Sequence, residues 1–163
     1  MAVYAGIYGK ENIAEYILYL WQIEDYLRAF PAQAESAPEL HQLSEMMHRE
    51  GVVEKGHIRL AKNALAEMEE LHLLLLNKEA TYRAAVMQLM PSLALLKSKT
   101  DRPTMSDVEA CLTLLYQIML LHLQHRPVSA DTEAVQKQAT QLLQYLSRTY
   151  RDVKDAELDG NNI

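Results

Sequence analysis

The segment Lys10 to Phe30, KENIAEYILYLWQIEDYLRAF, constrains this chain more than any other stretch. It reads as one long helix, apolar around most of its circumference, with Trp21 and Glu24 inside the apolar run. Ile13, Ile17, Leu20, Glu24 and Leu27 recur at three- and four-residue spacing and make one stripe, widened by Tyr16, Ile23 and Phe30. A helix that is apolar on most sides belongs inside a bundle, where several neighbours can cover it. Pro31 ends it, because the residue before a proline is pushed out of the α region. The segment fixes an architecture and leaves the activity open.

Five further amphipathic stretches follow. SAPE announces a short second helix, with Ser36 as cap, Pro38 in the first turn and Glu39 completing a capping box. Leu40, Leu43 and Met47 give it a narrow stripe, and Gly51 a stop. The spacing predicts a third helix over residues 54–76, on Ala61, Ala64, Met68, Leu71 and Leu75, and a fourth over 79–98, on Tyr82, Val86, Leu89, Leu93 and Leu96. The fourth stripe keeps its phase across Pro91, which predicts a kink and not a chain reversal. After the loop KTDRPTM, Ser106 and Glu109 form a second capping box at the head of a fifth helix, whose stripe is Val108, Leu112, Leu115, Met119 and His122 and which ends at Arg126 and Pro127. Ser129 or Asp131 caps a sixth, with Val135, Ala139, Leu142, Leu146 and Val153 in heptad-like order.

The composition is led by the helix formers Leu, Ala, Met, Glu and Gln, and only five glycines occur in 163 residues. No strand or internal repeat is legible. These observations predict an all-α fold: an antiparallel bundle of about six helices, the first central and the second short, in one domain over 1–153. The segment 154–163, KDAELDGNNI, has little to bury and is expected to be a mobile polar tail.

The formal net charge is -6, and no basic face dominates: residues 1–50 hold three basic against eight acidic side chains, 51–100 seven against five, and the remainder six against nine. That argues against a nucleic-acid backbone as partner and gives no polybasic membrane anchor. No apolar run approaches the ~20 residues a membrane span needs, and MAVYAGIYG lacks the basic region of a secretory signal. Cys111 is the one cysteine, so no intrachain disulfide forms and a reducing cytoplasm is the expected compartment.

Chemistry has few footholds. Three Glu-x-x-His pairs, Glu45/His48, Glu54/His57 and Glu69/His72, have the spacing that carboxylate bundles use for metals. They crowd into adjacent segments, however, and the middle one contains Gly56, so no metal site and no cofactor is assigned. His122 and His125 make an H-x-x-H pair, whose plainer reading is a core histidine followed by one at a helix C-terminus. Glu24 is either a structural acceptor for a tyrosine or histidine, or an acid, base or anchor in a pocket lined by Trp21 and tyrosines such as Tyr16. Tyr16, Tyr19, Trp21 and Tyr26 ring one helix, and such half-wet aromatics suit a subunit interface. Cys111 reads as a small buried hydrophobe. No glycine-rich phosphate loop or nucleophile elbow is present.

KENIAEYILYLWQIEDYLRA, together with SDVEACLTLLY and LHLQ, resembles a domain-of-unknown-function family of small all-helical proteins found mainly in Bacteroidetes. The likeness extends from Lys10 to about Arg151. It implies a single helical domain resident in the cytoplasm and transfers no site. The favoured reading is a non-enzymatic interaction or scaffold bundle that self-associates as a homodimer, with a further protein partner unknown. The competing reading is a small-ligand-binding or metal-dependent bundle enzyme whose site gathers Glu24, Trp21, Tyr16 and a histidine, His72 or His122.

Overall fold

The computed structural model describes residues 11–161, and every regular element among them is helical. Along the described residues the α-helices are α1 (Ile13–Ala29), α2 (Pro38–Glu50), α3 (Arg59–Lys78), α4 (Ala80–Ser98), α5 (Asp107–Leu123) and α6 (Ala130–Asn161), with a 3₁₀ turn over Pro31–Glu35. Inside α3, between Glu67 and Met68, the chain divides into two compact units. None of the described helices is long and apolar enough to cross a membrane.

In the first unit, α1 packs on the 3₁₀ turn and on α2. Its expected start at Lys10 lies outside the described residues. Within them the helix is capped by Asn12, whose side-chain oxygen accepts the Glu15 N–H at 3.1 Å. Ile13, Ile17 and Leu20 are fully buried, with Leu43 and Met47 of α2. The helix expected at the heart of one bundle is thus the main core element of this unit. Phe30 departs from the stripe: it occupies the C-cap of α1 and is 56% exposed. The capping box expected at Ser36 does not form. Ser36 closes the 3₁₀ turn instead, donating its hydroxyl to the Gln33 carbonyl at 2.6 Å, and Ala37 occupies the N-cap of α2. Glu39 accepts the Tyr19 hydroxyl at 3.2 Å. Gly51 stops α2 as expected, in the left-handed region at φ 71°.

In the second unit, α4, α5 and α6 pack pairwise on one another. Tyr82, Val86, Leu89 and Leu93 form the buried face of α4, which continues without interruption through Pro91. The stripe of α5 is broader than expected at its head and slips at its end. Val108, Ala110, Cys111 and Leu112 are all buried and Ile118 takes the place expected for Met119, because the first turns are enclosed on several sides. Ser106 caps α5 and accepts the Glu109 N–H at 3.1 Å, but the Glu109 carboxylate turns to Arg102 at 2.6 Å and does not close the box. The helix ends at Leu123, three residues before Arg126, because His125 enters the left-handed region at φ 55° and Arg126 N–H returns to the Leu121 carbonyl at 2.9 Å. Ser129 rather than Asp131 caps α6, accepting the Thr132 N–H at 3.2 Å. Ala139, Leu142, Leu143 and Leu146 are buried, whereas Val153 is exposed. The helix runs on to Asn161, through the segment expected as a tail from Lys154.

Candidate functional site

The sequence singled out Glu24 for standing in an apolar stripe, and the first unit places it among donors. Glu24 is 1% exposed. Its Oε1 accepts Nδ1–H of His57 at 2.8 Å and its Oε2 accepts the backbone N–H of Ile58 at 2.7 Å. Trp21, one turn earlier, stacks on the His57 ring with centroids 4.9 Å apart and planes 20° apart. Both carboxylate oxygens are therefore engaged, and the imidazole is held edge-on by an acid and face-on by an indole. Tyr16, also buried, has no hydrogen-bond partner for its hydroxyl among the described residues, and burial raises its pKa. The geometry serves positioning: it anchors the loop between α2 and α3 to α1.

The second unit holds a separate buried polar network. His72 on α3 meets the Tyr82 hydroxyl through Nδ1 at 2.6 Å. Its Nε2 faces Asp107 at 3.7 Å, and Asp107 is paired with Lys97 at 2.7 Å. Burial lowers the His72 pKa, opposed in part by the Asp107 and Glu69 carboxylates. A neutral imidazole accepts the Tyr82 proton at Nδ1 and points Nε2–H at Asp107. Burial first, and then the Asp107 carboxylate, push the Tyr82 phenol well above its ordinary range, so it stays protonated. One turn before His72, Glu69 accepts the hydroxyl of Ser106, the α5 cap, at 2.7 Å.

Tyr82 belongs to this network by its hydroxyl and to a surface cleft by its ring. The cleft, about 230 Å³, opens between α4 and α6. Tyr145 of α6 lies beside Tyr82 with centroids 5.7 Å apart, and its hydroxyl donates to Glu79, which raises the phenol's pKa. Thr81, Gln88, Gln138 and Gln141 add to the polar lining.

A family model described as "Domain of unknown function (DUF4924)" matches residues 3–39 and 32–157. The chain belongs to this family. No curated protein and no solved structure matches it. The description of DUF4924 names no activity, so what this member does is read from its own side chains.

The residues expected to share a site are divided between the two units of this DUF4924 member. Glu24, Trp21 and Tyr16 belong to the first unit, and the histidine that joins Glu24 and Trp21 there is His57. His72 belongs to the second unit, buried against Tyr82. His122, expected in the α5 core, is exposed near the helix end. The Glu-x-x-His pairs do not act as pairs. His48 bonds the Ser44 carbonyl at 2.8 Å, His57 turns from Glu54 to Glu24, and Glu69 and His72 face different partners. Among the described residues no three His, Cys, Asp or Glu side chains are placed to hold a metal ion. Sequence reasoning missed Arg28, Lys97, Asp107 and the Glu79–Tyr145 pair. Each is one member of a long-range contact, and helical periodicity carries no signal for that.

Proposed function

We propose that this DUF4924 member is a non-enzymatic helical interaction protein that self-associates through the outer face of α4. The observation that carries the reading is the two-faced character of that helix. Tyr82, Val86, Leu89 and Leu93 are buried on one side, while Met87 and Met90 are 67% and 42% exposed on another. Ala80, Met87 and Ala94, seven residues apart, fall in line on the exposed side, with Met90 between them. That is the spacing of a helix–helix seam, and the alanines allow a second helix to approach closely. Methionine adapts to the shape it meets, which suits a contact surface. A two-fold pairing is the arrangement that lets one such patch cover itself.

The inward polar groups support the same reading. Both oxygens of Glu24 are occupied within the first unit, and the Tyr82 hydroxyl is turned to His72. Neither leaves a reactive atom facing a substrate. Residence in a reducing cytoplasm fits a chain whose lone cysteine is buried.

Sedimentation velocity over a dilution series, on the full chain and on a Met87→Glu/Met90→Glu variant, tests the reading. The expected result is a dimer that dissociates on dilution in the parent. The variant is expected to be monomeric with an unchanged helical circular dichroism spectrum, since both side chains are exposed. A parent chain that stays monomeric at every concentration, or a variant that dimerises as well as the parent, would overturn it.

A further inference from the structure

We propose that the cleft between α4 and α6 binds a small organic cation of the alkylammonium type. Its wall is aromatic: the Tyr82 and Tyr145 rings lie side by side, 5.7 Å between centroids and 33° between planes. Glu79 is the one carboxylate among the described lining residues. Its Oε2 takes the Tyr145 hydroxyl, and its Oε1 has no partner among the described residues. The remaining polar lining is neutral, Thr81, Gln88, Gln138 and Gln141, and among the described residues neither lysine nor arginine lines the cleft, the Arg148 charge that acts on the Tyr145 phenol lying outside that lining. Aromatic faces and an acceptor carboxylate attract positive charge by two additive routes, the ring quadrupole and direct Coulomb attraction. An anion would meet Glu79 and the negative ring faces. A neutral apolar guest would cover Glu79 Oε1 and offer it no hydrogen bond or charge.

The site is also rigidly built. Tyr82 is buried and its hydroxyl bonds to His72 Nδ1 at 2.6 Å, so the small part of it that reaches the cleft is ring and not its polar end. The network behind it, through Asp107 to Lys97, fixes that orientation. Tyr145 is fixed in turn by Glu79. A wall set in place by its own hydrogen bonds loses little freedom when a guest arrives. The volume of about 230 Å³ lies below the ~300–1,000 Å³ of ordinary small-molecule pockets. That suits a compact ion with a methylated or short alkyl shell and is small for a nucleotide. The cleft lies on a different side of α4 from Met87 and Met90, so this inference stands or falls separately from self-association.

Choline and its neutral carbon isostere, 3,3-dimethylbutan-1-ol, decide the matter, because they share shape and differ in charge. Each is titrated into the full chain and followed by amide and tyrosine-ring NMR shifts. The expected result is saturable binding of choline, with shifts centred on Tyr82 and Tyr145, and about tenfold weaker binding of the isostere. Glu79→Gln and Tyr145→Leu should each weaken choline by roughly five- to tenfold at unchanged thermal stability within a few degrees. Equal binding of the two compounds, no saturable choline binding, or shifts that map away from the cleft would each overturn the proposal. The comparison of the two compounds on the parent chain needs no variant to fold.

Discussion

Glu24 and Arg28, one turn apart on α1, hold the same loop by opposite chemistry. Glu24 accepts from the loop, taking the N–H of Ile58 at 2.7 Å and the imidazole of His57 at 2.8 Å. Arg28 donates to it, reaching the carbonyls of Val52 at 3.0 Å, Val53 at 3.3 Å and also Gly56. The loop between α2 and α3 has no helical ladder to satisfy its backbone, and α1 supplies both a donor and an acceptor in place of one.

Glu24→Ala removes the acceptor from a backbone N–H whose residue, Ile58, is fully buried. An orphaned donor of that kind, together with the lost charged hydrogen bond, costs roughly 2–4 kcal/mol. Glu24→Gln keeps one acceptor oxygen and should recover about half of that loss. Urea unfolding of the three chains measures it. A Glu24→Ala midpoint equal to that of the parent would show that the loop is held by its apolar residues alone.

Two positions with left-handed backbone should respond in opposite directions. Gly51 ends α2 at φ 71° with open space around its Cα, so Gly51→Ala adds backbone strain and no clash. The expected loss is about 1 kcal/mol. His125 ends α5 at φ 55° with a β-carbon already present. His125→Gly should relieve strain and, net of the added chain entropy in the unfolded state, gain about 0.5 kcal/mol. Thermal melts of both variants check the pair. Shifts of the same sign would mean that backbone conformation does not dominate at these ends.

What the sequence made legible, and what it did not, divides along a physical line. Helical periodicity is local, so the buried runs Ile13–Ile17–Leu20 and Tyr82–Val86–Leu89–Leu93 stood out, and the Ser106 cap and Gly51 stop stood out with them. The Asn12 cap has a local signature of the same kind, Asn followed three residues later by Glu15, which a helix start placed at Lys10 passes over. The Ser36 cap failed because the 3₁₀ turn over Pro31–Glu35 claimed that hydroxyl. Glu24 was recognisable as a carboxylate that required a partner. Its partners, His57 and Ile58, lie 33 and 34 residues away, a separation no spacing rule covers. The same holds for Tyr145 and Glu79, which are 66 residues apart.

Cys111 should be inert in the folded chain. It is fully buried, and burial together with the nearby Asp107 charge pushes its thiol up to about 12. At pH 8 almost none of it is thiolate, and the thiolate is the reactive form. A thiol-titrating disulfide reagent should register essentially no modification in native buffer and one full equivalent in denaturant. Rapid stoichiometric reaction under native conditions would show that the head of α5 opens readily.

His72 gives the fold an acid sensitivity whose sign follows from its surroundings. Burial lowers its pKa, and Asp107 and Glu69 oppose that only in part, with Lys97 acting in the same direction as burial. The unfolded chain therefore binds this proton at a higher pH than the folded one. The stability contributed by neutral His72 is complete above the unfolded value of about 6.5 and is lost as pH falls through it toward the lower folded value. Protonation would also set an N–H against the hydroxyl proton that Tyr82 now donates to Nδ1, at 2.6 Å. His72→Gln should cost roughly 1–3 kcal/mol near pH 8, where the Tyr82–imidazole bond is intact in the parent. The gap between parent and variant should narrow as pH falls from about 7 to 5. Thermal melts across that range isolate His72, because every other titrating group is common to both chains. A gap that stays constant, or widens toward acid, would mean that the imidazole is already charged in the folded state and that Asp107, not Tyr82, is its principal partner.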